Sequence, residues 1–118
     1  MAGSHTGAVA RIWRGRTKPG RADEYATYLY QHGVKKLESL GARAVQMFRQ
    51  DLGEESEFMV VSYWDTLSAM TRWAGDDPTR IRHLERDADF LVELPAGVQI
   101  LNVLSNNWFL SDTMRQSA

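Results

Sequence analysis

Few residues in this chain could do chemistry, and most of them are aromatic or cationic. Trp73 lies on an apolar helical stripe with Met70, and His83 follows ten positions later in the charged run Arg80-Ile-Arg-His-Leu-Glu85. A histidine with an ordinary pKa near about 6.5 can take a phenolic or carbon-bound proton near neutrality. His83 is therefore either a catalytic base or a plain surface histidine, and Trp73 either packs in the core or walls a cleft. Tyr25, Tyr28 and His32 fall at i, i+3 and i+7, on one side of a helix, where they either line that cleft or pack half-buried. Arg11 and Trp13 project from one face of a strand and offer a cation and a stacking surface to a planar anion. If that face meets a partner instead, Trp13 is an interface residue. Tyr63 and Phe90 are expected to close an apolar pocket with Trp13 and Trp73, holding a flat substrate away from water.

Other chemistries lack their residues. Cysteine is absent, which removes disulfides, thiolate nucleophiles and Cys-ligated metals. Histidines and carboxylates do not recur at metal-ligand spacing, and there is no Gly-x-Ser-x-Gly elbow. Gly15-Arg-Thr-Lys-Pro-Gly20 has the glycines of a phosphate loop, but Arg21-Ala22 follows where Lys-Ser/Thr is required and Pro19 removes a donor, so it reads as a turn. Asp76-Asp77 reads as a helix cap, and Asp87 and Asp89 as part of a solvated loop. Lys and Arg number 14 against 15 Asp and Glu, a net charge of -1, so no basic footprint for nucleic acid exists. No apolar run reaches membrane-spanning length, and residues 1–7 lack the apolar core of a signal peptide. A cytoplasmic protein with no nucleic-acid or membrane partner is expected.

The elements that must position these residues follow from the apolar periodicity. With 118 residues, 43% hydrophobic and 25% charged, the chain is sized for one domain. Residues 8–16 alternate as a strand that sets Val9, Arg11 and Trp13 against Ala8, Ala10 and Ile12. Ala22, Tyr25, Ala26, Leu29, Gly33, Leu37 and Leu40 mark one long helix stopped by Gly41. Residues 42–50 and 57–64 form a hairpin about the turn at 51–56. Asp65 or Thr66 caps a helix carrying Leu67, Met70 and Trp73, and Asp77-Pro78 starts another carrying Ile81 and Leu84. Residues 98–104 supply the last strand. Residues 1–7 are expected to be a disordered leader, 8–104 the domain, and 105–118 a tail or arm in which Trp108, Phe109 and Leu110 are too apolar for solvent alone. The order strand, helix, strand, strand, helices, strand is that of an α+β, ferredoxin-like split βαβ sandwich.

Phe58-Met-Val-Val61 and Val98 to Leu104 are apolar on both faces, yet one chain supplies helices for only one. Leaving several hundred Å² of apolar surface wet costs on the order of 10 kcal/mol. A second copy across a twofold axis covers it at the least cost, which predicts a homodimer.

The run Arg11-Ile-Trp-Arg-Gly-Arg-Thr-Lys-Pro-Gly-Arg-Ala-Asp-Glu-Tyr25, the junction Ser62-Tyr-Trp-Asp-Thr-Leu67 and the helical Trp73 resemble the antibiotic biosynthesis monooxygenase family over roughly residues 8 to 104. The resemblance implies a dimeric α/β barrel whose cleft, between helices and sheet, in some members oxygenates phenolic or polyketide substrates with O₂ and neither metal nor flavin. Other members degrade heme. That branch carries a strand-ending Trp, a second Trp nine positions later and a His ten further on, spacings that Trp64, Trp73 and His83 reproduce. Its first-strand Asn corresponds here to Trp13, whose indole would occupy space the porphyrin needs.

The resemblance thus implies a cofactor-independent monooxygenase acting on a phenolic, anthrone-like or polyketide-type aromatic, with His83 and Trp73 catalytic. Arg11, Trp13, Tyr25, Tyr28, His32, Tyr63 and Phe90 would bind the substrate. The alternatives are a non-catalytic dimeric barrel that binds a hydrophobic metabolite, and a heme-binding or heme-degrading protein.

Overall fold

The structure is a computed structural model that describes residues 8–74, 77, 79, 81 and 83–107, the side chains of 72–74 excepted. Four antiparallel strands form one sheet in the order β2-β3-β1-β4: β1 is Val9–Thr17, β2 Ala44–Leu52, β3 Glu55–Trp64 and β4 Gln99–Asn102. Strands β1 and β2 are parallel with β3 between them, and β3 and β4 are parallel with β1 between them. This is the interlocked pair of split βαβ units that the order of elements predicts.

The register decides which side chains meet. Val9 pairs with Trp64, Arg11 with Ser62, Trp13 with Val60 and Gly15 with Phe58. All of these point to the helices and are buried, because side chains alternate faces along a strand. The Trp64 indole N–H is satisfied inside the core, donating to Ser62 Oγ at 3.0 Å, as a buried donor must be. Ala10 pairs with Tyr63, Ile12 with Val61 and Arg14 with Met59 on the other face, joined there by Phe48 and Leu101.

The long helix read from the sequence is broken in a specific way. α1 runs Ala22–Leu29 and α2 Lys35–Ser39, and Tyr30–Val34 between them form a π-helical turn. A π turn carries one residue more than the α ladder holds, so the apolar stripe shifts, and Val34 is buried along with Leu29 and Leu37. Asp23 and Glu24 in the first turn of α1 complement its N-terminal dipole.

α3, Leu67–Ala74, starts as predicted: Thr66 Oγ1 accepts the Ala69 N–H at 3.1 Å, which is the N-cap bond. The second expected helix, starting at Asp77-Pro78, does not form among the described residues; Asp77, Ile81, His83 and Leu84 have no helical backbone. Asp77 Oδ1 instead accepts from the Thr79 amide and hydroxyl at 3.0 and 2.6 Å, and the Thr79 carbonyl accepts the Val98 N–H at 2.9 Å. A local Asx bond and a long-range backbone bond take the groups a helix would have used. The helical turn comes later, at α4, Asp87–Phe90.

The expectations for residues 1–7 and for Trp108, Phe109 and Leu110 lie outside the described residues. Among those described, no helix is long and apolar enough to cross a membrane, and no cluster of three or more His, Asp or Glu side chains could hold a metal ion.

Candidate functional site

A cleft opens between the sheet and the α1–α2 helices. Its floor is Arg11 and Trp13 of β1 with Val60 of β3. One wall is Leu29, Gly33, Lys36, Leu37 and Leu40, and the opposite wall is Ile81, Leu84 and Asp87. The cleft is open to solvent, and its volume is about 70 Å³, room for roughly five water molecules.

Each lining residue is placed by the local fold. Strand parity sends Arg11 and Trp13 to the helix side together. The π turn swings Gly33 into the wall. A Cβ there would lie 3.0 Å from Leu29 Cδ1 and 3.6 Å from Leu84 Cδ1, so the missing side chain sets the width of the cleft. Trp13 in turn lies across Gly15, where a Cβ would meet the indole Cη2 at 2.5 Å. Only glycine lets the ring lie flat along its own strand.

The electrostatics are unusual for so apolar a place. Arg11 is only 6% exposed, and burial pushes its guanidinium down to about 10. It remains a cation at neutral pH, held where charge is expensive. Asp87, 2% exposed, accepts the Tyr25 hydroxyl at 2.9 Å on Oδ1 and the Leu84 amide at 3.1 Å on Oδ2. Burial first, then the Asp87 charge, pushes the Tyr25 hydroxyl well above its ordinary value, so Tyr25 stays protonated and donates.

The expected site residues separate into groups. Arg11 and Trp13 meet in the cleft. Tyr25 and Phe90 are fully buried beneath its rim, their ring centroids 5.2 Å apart. Tyr28 packs 5.5 Å from Phe90 and its hydroxyl accepts the Arg86 amide at 2.8 Å, fastening the segment that carries Leu84. His32 is exposed beside Tyr28, and His83 is exposed and absent from the cleft lining. Trp73 lies on α3, its side chain outside the described residues.

Tyr63 requires a correction. It pairs with Ala10 on the face away from the helices and donates to Gln46 Oε1 at 3.0 Å. The pleat places it opposite Trp64, so it cannot wall a cleft that Trp13 floors.

Sequence reasoning missed Asp87, Lys36 and Gly33 as lining residues. Gly33 was visible on the apolar stripe, and Lys36, three positions on, shares its side of the helix. Asp87 gave no local signal, since its partner Tyr25 is 62 residues away.

Comparison with known proteins agrees with this architecture. The family model described as antibiotic biosynthesis monooxygenase matches residues 8–80. A crystal structure of a candidate antibiotic biosynthesis monooxygenase from Bacillus cereus superposes with a TM-score of 0.57 at 15% identity, covering 85% of this chain and 96% of that one. An uncharacterized NIPSNAP-like domain protein from Burkholderia xenovorans gives 0.60 at 15% identity, covering 86% and 89%. At such identities the likeness is one of fold. No curated protein gives a significant match. The β2-β3-β1-β4 sheet, the helix-covered cleft and a family match over more than half its length together make this chain a member of the antibiotic biosynthesis monooxygenase family.

Proposed function

We propose that the protein is a cofactor-independent monooxygenase that uses O₂ on a phenolic aromatic, the class that includes anthrone-like and polyketide-type phenols. The observation that carries this is the Arg11 guanidinium buried at the floor of a cleft whose lining is mostly apolar apart from Lys36 and Asp87. Preorganised positive charge in a water-poor site favours ionised over neutral phenol, and favours the superoxide formed next.

The chemistry balances with substrate and O₂ alone. The phenol O–H proton passes to a base, and the phenolate gives one electron to O₂, leaving a phenoxyl radical and superoxide. These join through a new C–O bond at a ring carbon. The resulting peroxide is protonated, its O–O bond breaks, and the ring C–H proton leaves with hydroxide as water. Phenol and O₂ thus become quinone and water. Asp87 is the carboxylate in the lining; each of its oxygens keeps a lone pair beyond the bond it already accepts, so it can take the proton. His83, exposed and outside the lining, is displaced from that role in this proposal, and Trp73 remains a candidate wall through α3.

Metal-stripped protein given a naphthol should consume O₂ and release the naphthoquinone. Arg11→Met should lower the rate by about 100-fold, the scale set by losing one oxyanion donor. Turnover unchanged in Arg11→Met would overturn the assignment.

A second reading, a non-catalytic binder, is favoured by the hydrogen bonds that already occupy Asp87, and a lack of turnover on any phenol would select it. The heme reading leans on the Trp64, Trp73 and His83 spacing, and His83 is exposed and absent from the cleft lining.

A homodimer is also proposed. On the face away from the helices Phe48 is 45% and Leu101 43% exposed, beside half-buried Ile12 and Met59, a patch suited to a copy of itself. Met59→Lys should convert a dimeric mass in sedimentation to a monomeric one with the fold intact.

A further inference from the structure

Asp87 lines the cleft and is the carboxylate to which the phenol proton is assigned above, but it is held from behind by another element. We infer that Tyr25 is its positioning residue: the hydroxyl of a tyrosine locked in the core aims the carboxylate and holds it while the proton is taken and returned. The inference rests on the oxygenase reading and deepens it.

The bonds to the carboxylate are the first argument. Asp87 opens α4, and Tyr25 lies on α1, 62 residues away in sequence. Tyr25 Oη donates to Asp87 Oδ1 at 2.9 Å, and the Leu84 amide donates to Oδ2 at 3.1 Å. One donor on each oxygen fixes the plane of the carboxylate. The backbone is tied as well: the Asp87 amide donates to the Leu84 carbonyl at 3.0 Å, and its carbonyl accepts the Leu91 amide at 2.9 Å.

Rigidity is the second. Tyr25 is fully buried, and its ring is caged by Phe58, edge-on at 5.4 Å between centroids, and by Phe90 at 5.2 Å. A ring so packed keeps one rotamer, so its hydroxyl is a fixed point from which a carboxylate can be aimed. A base must lie within hydrogen-bond reach of the proton it takes, and a misplacement of about 1 Å can lower a rate about 100-fold.

Charge is the third. The two groups that donate to Asp87 are neutral. Burial first, then the Asp87 charge, suppresses ionisation of Tyr25, so the hydroxyl keeps its own proton. A bidentate arginine in its place would fix the same plane but favour the charged form so strongly that proton uptake would be opposed. Two neutral donors set the direction and leave each oxygen a lone pair for the proton. That proton comes from the phenol O–H and returns to the peroxide formed at the ring carbon, so Asp87 ends the cycle as a carboxylate.

Steady-state O₂ uptake by the full chain on 1-naphthol tests the assignment. Tyr25→Phe keeps the caged ring and should fold; it should lower kcat by about tenfold or more with KM unchanged, because the cleft remains and only the aim is lost. Asp87→Asn should lower kcat by about 100-fold. Adding Tyr25→Phe to Asp87→Asn should lower it no further, since residues that act as a unit are not additive. A Tyr25→Phe protein that keeps its kcat, raises KM alone, or multiplies with Asp87→Asn makes the tyrosine structural and overturns the inference. The kcat and KM of Tyr25→Phe decide the matter even where Asp87→Asn fails to fold. Full turnover in Asp87→Asn overturns the base and its positioning residue together and leaves the oxygenase standing, whereas no naphthol turnover by the unaltered chain overturns the oxygenase reading as well.

Discussion

The two faces of the sheet are made from the same strands, yet they are finished to different degrees. On the helix side Phe58 is sealed, edge-on to Tyr25 at 5.4 Å between ring centroids. On the other side Phe48, one strand over, stays close to half exposed. Both are phenylalanines in β-strands, so intrinsic propensity does not separate them. What differs is whether the same chain supplies a cover. The covered face can afford a buried Arg11 and a cavity because the packing around them is otherwise complete, while the bare face offers only contact area.

Exchanging the two phenylalanines for alanine breaks the comparison most directly. Phe58→Ala should cost about 3–5 kcal/mol in denaturant unfolding, whereas Phe48→Ala in dilute solution should stay within about 0.5 kcal/mol. If Phe48→Ala proves costly only at high protein concentration, the bare face is covered by a second copy.

The covered face can be tested next through its buried polar pair. Tyr25→Phe leaves the Asp87 carboxylate short of one donor and should lower stability by about 1.5–3 kcal/mol. Gly15→Ala should cost about 1–3 kcal/mol through overpacking against Trp13 and should shift tryptophan emission. A silent Gly15→Ala would mean that the indole has an alternative resting place.

The smallest effects concern titration. Because burial pulls the Arg11 guanidinium down to about 10, below its ordinary range, burial of its cation opposes folding at all pH values below about 10, and that cost is relieved only as pH rises further. The Arg11 charge should therefore be constant from roughly pH 6 to roughly pH 9, so that a slope in turnover across that window reports another group. His83→Ala should change neither stability, within about 0.5 kcal/mol, nor the rate of naphthol turnover. A bell-shaped profile lost in His83→Ala would return that histidine to the site.

Much of this contrast was legible from alternation alone. Val9, Arg11 and Trp13 separate from Ala10 and Ile12 by parity, and the doubly apolar Phe58-Met-Val-Val61 announced that both faces of β3 meet something. The same rule, applied to Ser62-Tyr-Trp64, would have put Tyr63 on the face away from Trp64; the aromatic character of both residues obscured it. The π turn was not legible, since one extra residue within a helix leaves the apolar spacing nearly unchanged. The segment around Asp77 misled because its helix-start chemistry is real but is captured by Thr79 and then by Val98. Asp87 was hidden for a different reason: a carboxylate in a charged run becomes a buried acceptor only once a tyrosine from another element reaches it.

The π turn has a consequence for how such a cleft could be retuned. The extra residue is taken up inside the widened turn, so deleting a single position within Tyr30–Val34 should close that turn to an α-helical one while α1 and Lys35–Ser39 keep their facing. The turn behaves as slack stored in an otherwise taut rod: one codon can be taken out of it, changing what stands at Gly33, without re-aiming Lys36 or disturbing the floor of the cleft.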